Sequence, residues 1–339
     1  MVRLKDIAGR AGVSLMTVSK ALRDEPDVSE ATKARIKSLA QQMGYVPDSS
    51  AQGLRTRTTK LLGLLIPSTT DPFLARTVLA IEERAHDLGY DLLLMHTLNV
   101  PEREEYCIRH MLARRVDGMF ISPVYRIEPE ARIYKELAAQ KARVVLLGPA
   151  APFCNQFPSI HVDDLIGSYM AAQHLVKLGH KRIAFLAGPL AAPWSHARFE
   201  GYRRALREGG MDVDDSLVFQ AGSTTDDGVK AASQMLSEGC KATAVQAAHD
   251  LVAIGFADTL LNQGVKIPRD ISIVGFGNTI TSEYFRVPMT TIRQPKYRLG
   301  LAAVEAMQQL LRGQRAETKR LAAELIVRAS TAPLAQQAS

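Results

Sequence analysis

Three hydroxyl side chains lie within one turn or so of each other near the N-terminus, where the pattern predicts the start of a short helix. These are Ser14, Thr17 and Ser19. Hydroxyl groups at such a position can donate to phosphate oxygens, and the free amides of a helix N-terminus attract the same negative charge. The chemistry they indicate is the binding of a phosphate backbone.

Two large apolar residues, Leu15 and Met16, fall in the first turn of the same predicted helix, although the inner face does not need them. Apolar side chains there can contact thymine methyl groups, and Lys20, one turn further on, can reach a guanine edge. The helix is therefore predicted to read bases in a major groove. From the pattern alone, an ordinary helical hairpin with a solvated face remains the alternative.

The elements that must hold this helix are three short helical segments within residues 1–47. Gly12 ends the first as a turn residue, Ser14 can cap the second, and Ser29 can cap a third that closes at Gly44. Two helices joined by a glycine turn predict a helix-turn-helix, whose second helix enters the groove while the first braces it. We therefore interpret residues 1–47 as a DNA-binding domain.

The next segment, residues 48–60, is polar and basic, with almost no core residues, and is interpreted as a linker or hinge. Charge supports a polyanion partner at this end of the chain. Residues 1–60 contain 11 Lys/Arg and 6 Asp/Glu, a net of +5 within a total of +7. Neutralising phosphates releases condensed counterions, so this excess favours nucleic acid.

From residue 61 onward, apolar strands alternate with amphipathic helices, many of which close at glycine. Continuous apolar strands separated by helices predict parallel sheets covered on both faces. Two series of strands imply two doubly wound subdomains with a ligand cleft at the carboxyl ends of their strands. A helix, Lys296–Arg312, and a strand, Leu321–Ala329, end the pattern. The other predicted strands are Leu61–Ile66, Asp91–Met95, Gly118–Ser122, Arg143–Leu147, Arg182–Ala187, Leu217–Gln220, Ala244–Gln246 and Ile271–Phe276.

Several function classes are disfavoured. The chain has no run of 18 or more apolar residues, so no membrane span is predicted. The charged N-terminus is not a signal peptide, so we expect a cytoplasmic protein. Cys107, Cys154 and Cys240 lack metal-ligand spacing and are expected to be reduced and mostly buried. No GxGxxG motif, P-loop or GxSxG elbow is present, and the neighbours Ser195 and His196 do not by themselves imply a triad. We expect no enzyme activity, no metal and no cofactor.

Motifs along nearly the whole chain resemble the LacI/GalR family of bacterial repressors. The N-terminal part of the resemblance lies in Ile7-Ala8, Ala11-Gly12-Val13-Ser14, Thr17-Val18-Ser19, Leu22, Val28-Ser29 and Gly44-Tyr45-Val46-Pro47. The larger part contributes Asp71-Pro72-Phe73, Leu178-Gly179-His180, Leu186-Ala187-Gly188-Pro189, Arg198-Phe199-Glu200-Gly201-Tyr202, Ile267-Pro268, Ile273-Val274-Gly275-Phe276 and Thr290-Thr291-Ile292.

The resemblance implies a homodimer that reads a pseudo-palindromic operator. It also implies that residues 49–57 become a hinge helix on specific DNA, with Leu54 wedged into a central base step and Arg55 in the same minor groove. An apolar wedge unstacks a step, and the bend enlarges the contact. Tyr45 and Ala51 belong to the DNA-binding set that the resemblance implies.

By the same resemblance, residues 61–339 form an effector and dimerisation domain of the type I periplasmic-binding-protein class. Its first subdomain is expected at about 61–159 and 292–320, and its second at about 160–291 and 321–339. The residues carried over as effector contacts are Asp71, Phe73, Ser122, Trp194, Arg198 and His249.

Each of these assignments in the second subdomain has an ordinary alternative. Arg198 can be a structural ion-pair arginine, Trp194 can cap the core, and His249 can cap the following helix. The chain also departs from the family at Gly148 and Gly277, where aspartates that accept hydrogen bonds from sugar hydroxyls are common. With Arg198 retained, these departures leave room for a sugar acid or phosphosugar beside an ordinary sugar.

We therefore expect a transcriptional repressor whose operator affinity is controlled by a small molecule, associated with the nucleoid when bound to DNA. An activator or a corepressor-dependent regulator of the same fold is the alternative, and a solute-binding protein without DNA function is a remote one. The short tail after Ser330 has no leucine heptads, which favours a dimer over a coiled-coil tetramer.

Overall fold

The computed structural model describes residues 2–46 and 58–334. The chain divides into two compact units at the boundary between Thr59 and Lys60. The predicted hinge residues Ala51, Leu54 and Arg55 lie outside the described residues.

The smaller unit is the predicted three-helix domain, with α1 at Leu4–Ala11, α2 at Leu15–Ala21 and α3 at Glu30–Gln42. The hydroxyl of Ser14 caps α2 by accepting from the amide of Thr17 at 3.1 Å. Gly12 ends α1 with φ +66°, a conformation that a residue without Cβ adopts at no steric cost. The helices share one small core, formed by Ile7, Ala8, Val18, Ala21, Val28, Ile36 and Ala40.

The larger unit contains two six-stranded sheets, as the alternating pattern predicts. The elements of the first subdomain are β1 Leu61–Ile66, α4 Pro72–Asp87, β2 Asp91–His96, α5 Pro101–Ala113, β3 Gly118–Ile121, α6 Arg132–Ala139, β4 Val144–Leu147 and β5 Ser159–Val162. With β11, Lys319–Leu321, at one edge, the first sheet has the order β11-β5-β4-β3-β1-β2, and its strand pairs are parallel.

The elements of the second subdomain are α7 Asp164–Lys177, β6 Ile183–Ala187, α8 Pro193–Glu208, β7 Val218–Gln220, α9 Thr225–Ser237, β8 Ala244–Ala247, α10 Asp250–Asn262, β9 Ser272–Gly277, α11 Ile280–Glu283 and β10 Thr290–Arg293. With β12, Glu324–Ile326, at one edge, the second sheet has the order β12-β10-β9-β8-β6-β7 and is parallel except for β12, which runs antiparallel to β10.

The end of the chain differs from the sequence prediction. After α12, Lys296–Leu311, the predicted single strand Leu321–Ala329 is wrong: β11, Lys319–Leu321, joins the first sheet, and β12, Glu324–Ile326, joins the second. The chain crosses between the sheets here, so one continuous strand cannot form. The short strands β5 and β10 were not among the predicted strands, and both precede earlier crossings.

The central strands are buried because helices cover both faces of each sheet. Apolar side chains of β1 pack towards α4 and α12 on one face and towards α5 and α6 on the other. Of the three cysteines, Cys107 and Cys154 are buried and Cys240 is half-buried, and all three are free thiols. Within the described ranges, no helix is long and apolar enough to cross a membrane.

Candidate functional site

A cavity of about 450 Å³ lies between the two subdomains of the larger unit. Its walls include the loops that follow all five strands β1 to β5 of the first sheet and β6, β7, β8 and β10 of the second. Strand carboxyl ends from both sheets therefore converge on one space, and its size is that of a site for a small molecule.

The six residues predicted from the sequence as effector contacts are all brought together in the lining of this cavity. Asp71 also caps α4, since its Oδ1 accepts from the amide of Phe73 at 2.9 Å. The first subdomain contributes Asp71, Phe73 and Ser122, and the second contributes Trp194, Arg198 and His249.

Arg198 is held by a buried carboxylate in the cavity wall. Its Nε and Nη2 donate to Oδ1 of Asp164 at 2.8 and 2.7 Å, and its Nη1 donates to the carbonyl of Ala248. Both side chains are almost fully buried. Burial raises the pKa of Asp164 from its ordinary value, and the guanidinium opposes that shift. Arg198 is thus the ion-pair arginine of the alternative interpretation and a cavity-lining residue at the same time.

Two aromatic rings lie against the Arg198 guanidinium. Its Cζ lies 3.6 Å from the ring centroid of Phe276 and 4.5 Å from that of Trp194. The indole reaches this place because Gly188 has no side chain: a Cβ there would lie 2.7 Å from the Trp194 ring. Stacking of this kind fixes the plane of the guanidinium. Its remaining N–H groups can then donate only along directions in that plane.

His249 has the capping role that the sequence left open, and it also lines the cavity. Its Nδ1 accepts from the amide of Leu251 at 3.2 Å at the start of α10. Burial lowers the pKa of His249, and the carboxylate of Asp71 opposes this. Burial also lowers the pKa of His161, a further residue of the lining. Lowered pKa values favour the neutral form of both imidazoles at about pH 7.

The two glycines noted as departures from the family pattern have different positions. Gly148 lines the cavity, with φ +126°, and a Cβ there would lie 2.7 Å from Oη of Tyr125. Gly277 is not among the lining residues: its missing side chain leaves room for the buried carboxylate of Asp250, whose Oδ2 would lie 3.3 Å from a Cβ. The departure therefore alters the cavity wall at residue 148 alone.

Several lining residues were missed by sequence reasoning. Asp164 follows β5 and Gln294 follows β10. Because neither strand was predicted, the polar residues after their carboxyl ends were not recognised as lining residues. Tyr125 sits three residues beyond the predicted contact Ser122, in a loop whose course no local pattern defines. The other polar residues missed are Ser68, Thr70, Thr77, Asn99, His161, Ser223 and Thr224.

In the headpiece, defined as residues 2–46, Leu15 and Met16 are 51% and 61% exposed, which suits base contact better than core packing. Ser14 is engaged with the helix, and its Oγ also lies 2.9 Å from Oγ1 of Thr17. Lys20 forms an ion pair with Asp27. Ser19 and Tyr45 are half-buried, and Tyr45 packs against the small core.

Both units of the chain match known protein families. Residues 3–48 match the family described as bacterial regulatory proteins, lacI family, and residues 172–331 match a periplasmic binding protein-like domain. The HTH-type transcriptional repressor CytR of Escherichia coli (strain K12) is 32% identical over 98% of this chain and 96% of that protein. The repressor PurR of Photobacterium profundum is 30% identical over 98% of this chain and the whole of that protein.

Solved structures agree with these relatives. A lac repressor dimer bound to operator and the anti-inducer ONPF superposes with a TM-score of 0.88, at 29% identity, covering 98% of this chain and 99% of that one. A complex of the transcriptional regulator CelR with cellobiose gives a TM-score of 0.74 at 28% identity, covering 97% of this chain and all of that one.

These matches span both units of the chain and join a regulatory DNA-binding domain to a ligand-binding one. The relatives are transcriptional regulators. The chain therefore belongs to the LacI family of bacterial regulatory proteins: it is a DNA-binding transcriptional repressor controlled by a small-molecule ligand, and not an enzyme.

Proposed function

We propose that the protein represses transcription as a homodimer bound to a pseudo-palindromic operator, with one headpiece on each half-site. Support comes from the lac repressor dimer bound to operator, which this chain resembles over nearly its whole length. A two-fold dimer matches a palindromic site because each recognition helix meets the same groove sequence. The protein acts on the nucleoid in the cytoplasm, where operator DNA is found.

Residues 48–60 are the hinge of this proposal, and residues 61–339 are the effector domain. Leu54 wedges into a central base step and Arg55 enters the same minor groove, with Ala51 on the same short helix. A basic linker whose sequence has low helix propensity suits this role, because its folding is then coupled to specific DNA.

The observation that carries the control mechanism is that one cavity has walls from both subdomains. A ligand that contacts Asp71 on one wall and Arg198 on the other favours one relative orientation of the subdomains. Such differential affinity is what allows a ligand to shift a conformational equilibrium. Whether the ligand releases or strengthens operator binding depends on which orientation it favours.

The charges of the lining favour a neutral ligand of the sugar type. The only charged side chains among the described lining residues are Asp71, Asp164 and Arg198. Arg198 is already paired with Asp164, and the lowered pKa values of His161 and His249 remove further positive charge. An anionic sugar acid or phosphosugar would meet the carboxylate of Asp71. The CelR–cellobiose complex supports a neutral sugar on the same fold.

Two measurements, made one after the other, test this function. Selection of binding sites from random DNA with the full chain should yield a two-fold symmetric operator. Thermal shift should then show stabilisation by neutral sugars at about 10 mM, a concentration at which millimolar ligands raise Tm. D-glucose, gluconate and glucose 6-phosphate form one matched set, and cellobiose is added because a relative binds it.

The expected result is that stabilisation is confined to neutral members of such sets and that the same compounds change operator affinity about 5- to 150-fold. Because linkage is reciprocal, operator DNA must change the affinity for the compound by the same factor. Stabilisation by the anionic member alone would contradict the proposed ligand class. A compound that binds without changing operator affinity would contradict the control mechanism.

A further inference from the structure

The wall of the cavity at the end of β4 is built by a residue from a different loop. Gly148 follows Leu147 with φ +126°, and a Cβ at this position would lie only 2.7 Å from the Tyr125 hydroxyl oxygen. The Tyr125 side chain therefore occupies the space into which a side chain at position 148 would extend. The position of the Tyr125 side chain therefore requires a glycine at position 148.

The hydrogen bonding of Tyr125 defines what its oxygen can offer. The hydroxyl donates to the carbonyl of Pro149 at 2.8 Å, so its proton is already committed. A phenol oxygen keeps acceptor lone pairs when its proton is used elsewhere. At the cavity wall, the hydroxyl oxygen of Tyr125 can thus accept one hydrogen bond from a ligand.

A buried carboxylate holds the loop that carries Tyr125. Glu104 is fully buried, accepts from the amide of Val124 at 2.8 Å and from the hydroxyl of Tyr134 at 2.7 Å, and pairs with Arg126. The residues on both sides of Tyr125 are therefore tied to one anchor. An anchored side chain can discriminate between ligands, because it cannot move away to accommodate the wrong one.

We propose that Tyr125, placed over Gly148 and anchored through Glu104, is a specificity-determining residue that accepts a hydrogen bond from one hydroxyl of the effector. This rests on the proposed function, since it assigns a role to a residue of the same cavity. In the family pattern, a carboxylate at position 148 accepts this hydrogen bond. In this chain, the acceptor is instead a neutral phenol from the loop after β3.

The experiment is a cycle between the protein hydroxyl and a ligand hydroxyl. Trp194 is the single tryptophan of the chain and lines the cavity, so its fluorescence reports binding directly. The probes are D-glucose, D-galactose, D-ribose and cellobiose, each with its commercially accessible monodeoxy analogues. They are titrated into the full-length protein and into its Tyr125→Phe variant, which keeps the ring and loses only the oxygen.

The expected result is that the parent binds one of these sugars about tenfold more tightly than one of its monodeoxy analogues, the size of a single missing hydrogen bond. Tyr125→Phe should bind both compounds equally. Tyr202→Phe is the matched control, because its buried hydroxyl also donates to a backbone carbonyl, that of Ile183 at 2.7 Å, and it does not line the cavity. It should keep the same ratio of affinities as the parent.

Two outcomes would overturn the inference, and they are distinguishable. If a sugar binds and Tyr125→Phe keeps full discrimination against every analogue, Tyr125 reads no hydroxyl while the proposed function stands. If none of these sugars changes Trp194 emission or Tm at about 10 mM, the proposed ligand class fails and the role of Tyr125 fails with it.

Discussion

Arg198 and Asp164 are joined in the wall of the cavity by two hydrogen bonds, from Nε and Nη2 to the same carboxylate oxygen at 2.8 and 2.7 Å. Asp164 begins α7, directly after the crossing from the first sheet, whereas Arg198 lies on α8. The charge of Arg198 is therefore balanced before any ligand binds. Removing one partner and removing both have different consequences.

Arg198→Ala should lower the free energy of unfolding by about 3–5 kcal/mol, because it leaves the buried Asp164 carboxylate without its partner. The double variant Arg198→Ala/Asp164→Ala should be more stable than the single one and should retain operator binding without ligand while losing the ligand response. Urea unfolding and operator titration measure the two effects. As a control, Arg286→Ala breaks the exposed pair with Asp258 and should change stability by no more than about 1 kcal/mol. A single variant as stable as the parent would contradict the buried-pair interpretation.

Changing Leu15 and Met16 together to glutamine should alter the preferred half-site and leave the fold intact. Both side chains are more than half exposed, so the headpiece does not need them for stability. Each base interaction that the double variant cannot make should cost about 1–3 kcal/mol of discrimination. Selection from random DNA compares the two proteins, with Ala34→Gln on the exposed part of α3 as the control. Identical selected half-sites for parent and double variant would show that neither residue reads a base.

Asp27→Asn should increase affinity for random-sequence DNA, because it releases Lys20 from its ion pair. Freeing one lysine to neutralise a phosphate should steepen the slope of log affinity against log salt by roughly 0.9. Fluorescence anisotropy with a random duplex at several salt concentrations measures both. Asp24→Asn is a matched control, since it removes the same charge but releases Lys37 on α3 instead. Equal effects of the two variants on affinity and slope would mean that net charge alone is responsible.

The larger unit should lose stability as the pH falls below about 6.5. His180 is buried between Oγ1 of Thr243 at 3.0 Å and the carbonyl of Ala332 at 3.1 Å, and burial lowers its pKa from 6.5. The unfolded chain then binds the proton more readily than the folded one. The stabilisation that depends on neutral His180 is complete above the pKa of His180 in the unfolded chain. It is lost as the pH falls from there through the lowered pKa of His180 in the folded chain. Urea unfolding from about pH 7.5 to about pH 5 measures the slope.

His180→Gln should reduce the dependence of the free energy of unfolding on pH. Loss of the two hydrogen bonds of His180 would lower that free energy by the same amount at every pH and would not change the slope. His174, whose pKa is also lowered by burial, should account for a further part of the slope. A parent whose stability does not depend on pH across this interval would contradict the prediction.

Local patterns in the sequence determined the headpiece and the class of the larger unit. Ser14, Gly12 and Ser29 cap or end helices through contacts within a few residues, so no distant information is needed to predict them. The long apolar strands are equally local, because a strand covered on both faces must be apolar throughout. The six predicted effector residues were placed by resemblance, and the tertiary structure brings all of them into one cavity.

Only the tertiary structure decided what these residues contact. The pairing of Arg198 with Asp164 joins positions 34 residues apart, and the place of Tyr125 over Gly148 depends on how a loop after β3 meets the end of β4. The strands β5, β11 and β12 are short and contain polar or charged residues, so they lack the continuous apolar run that predicted β3 and β4. Their sheet is set by where the chain crosses between subdomains. Long-range geometry of this kind has no local signature, because the free energy of such contacts arises only when distant segments pack together.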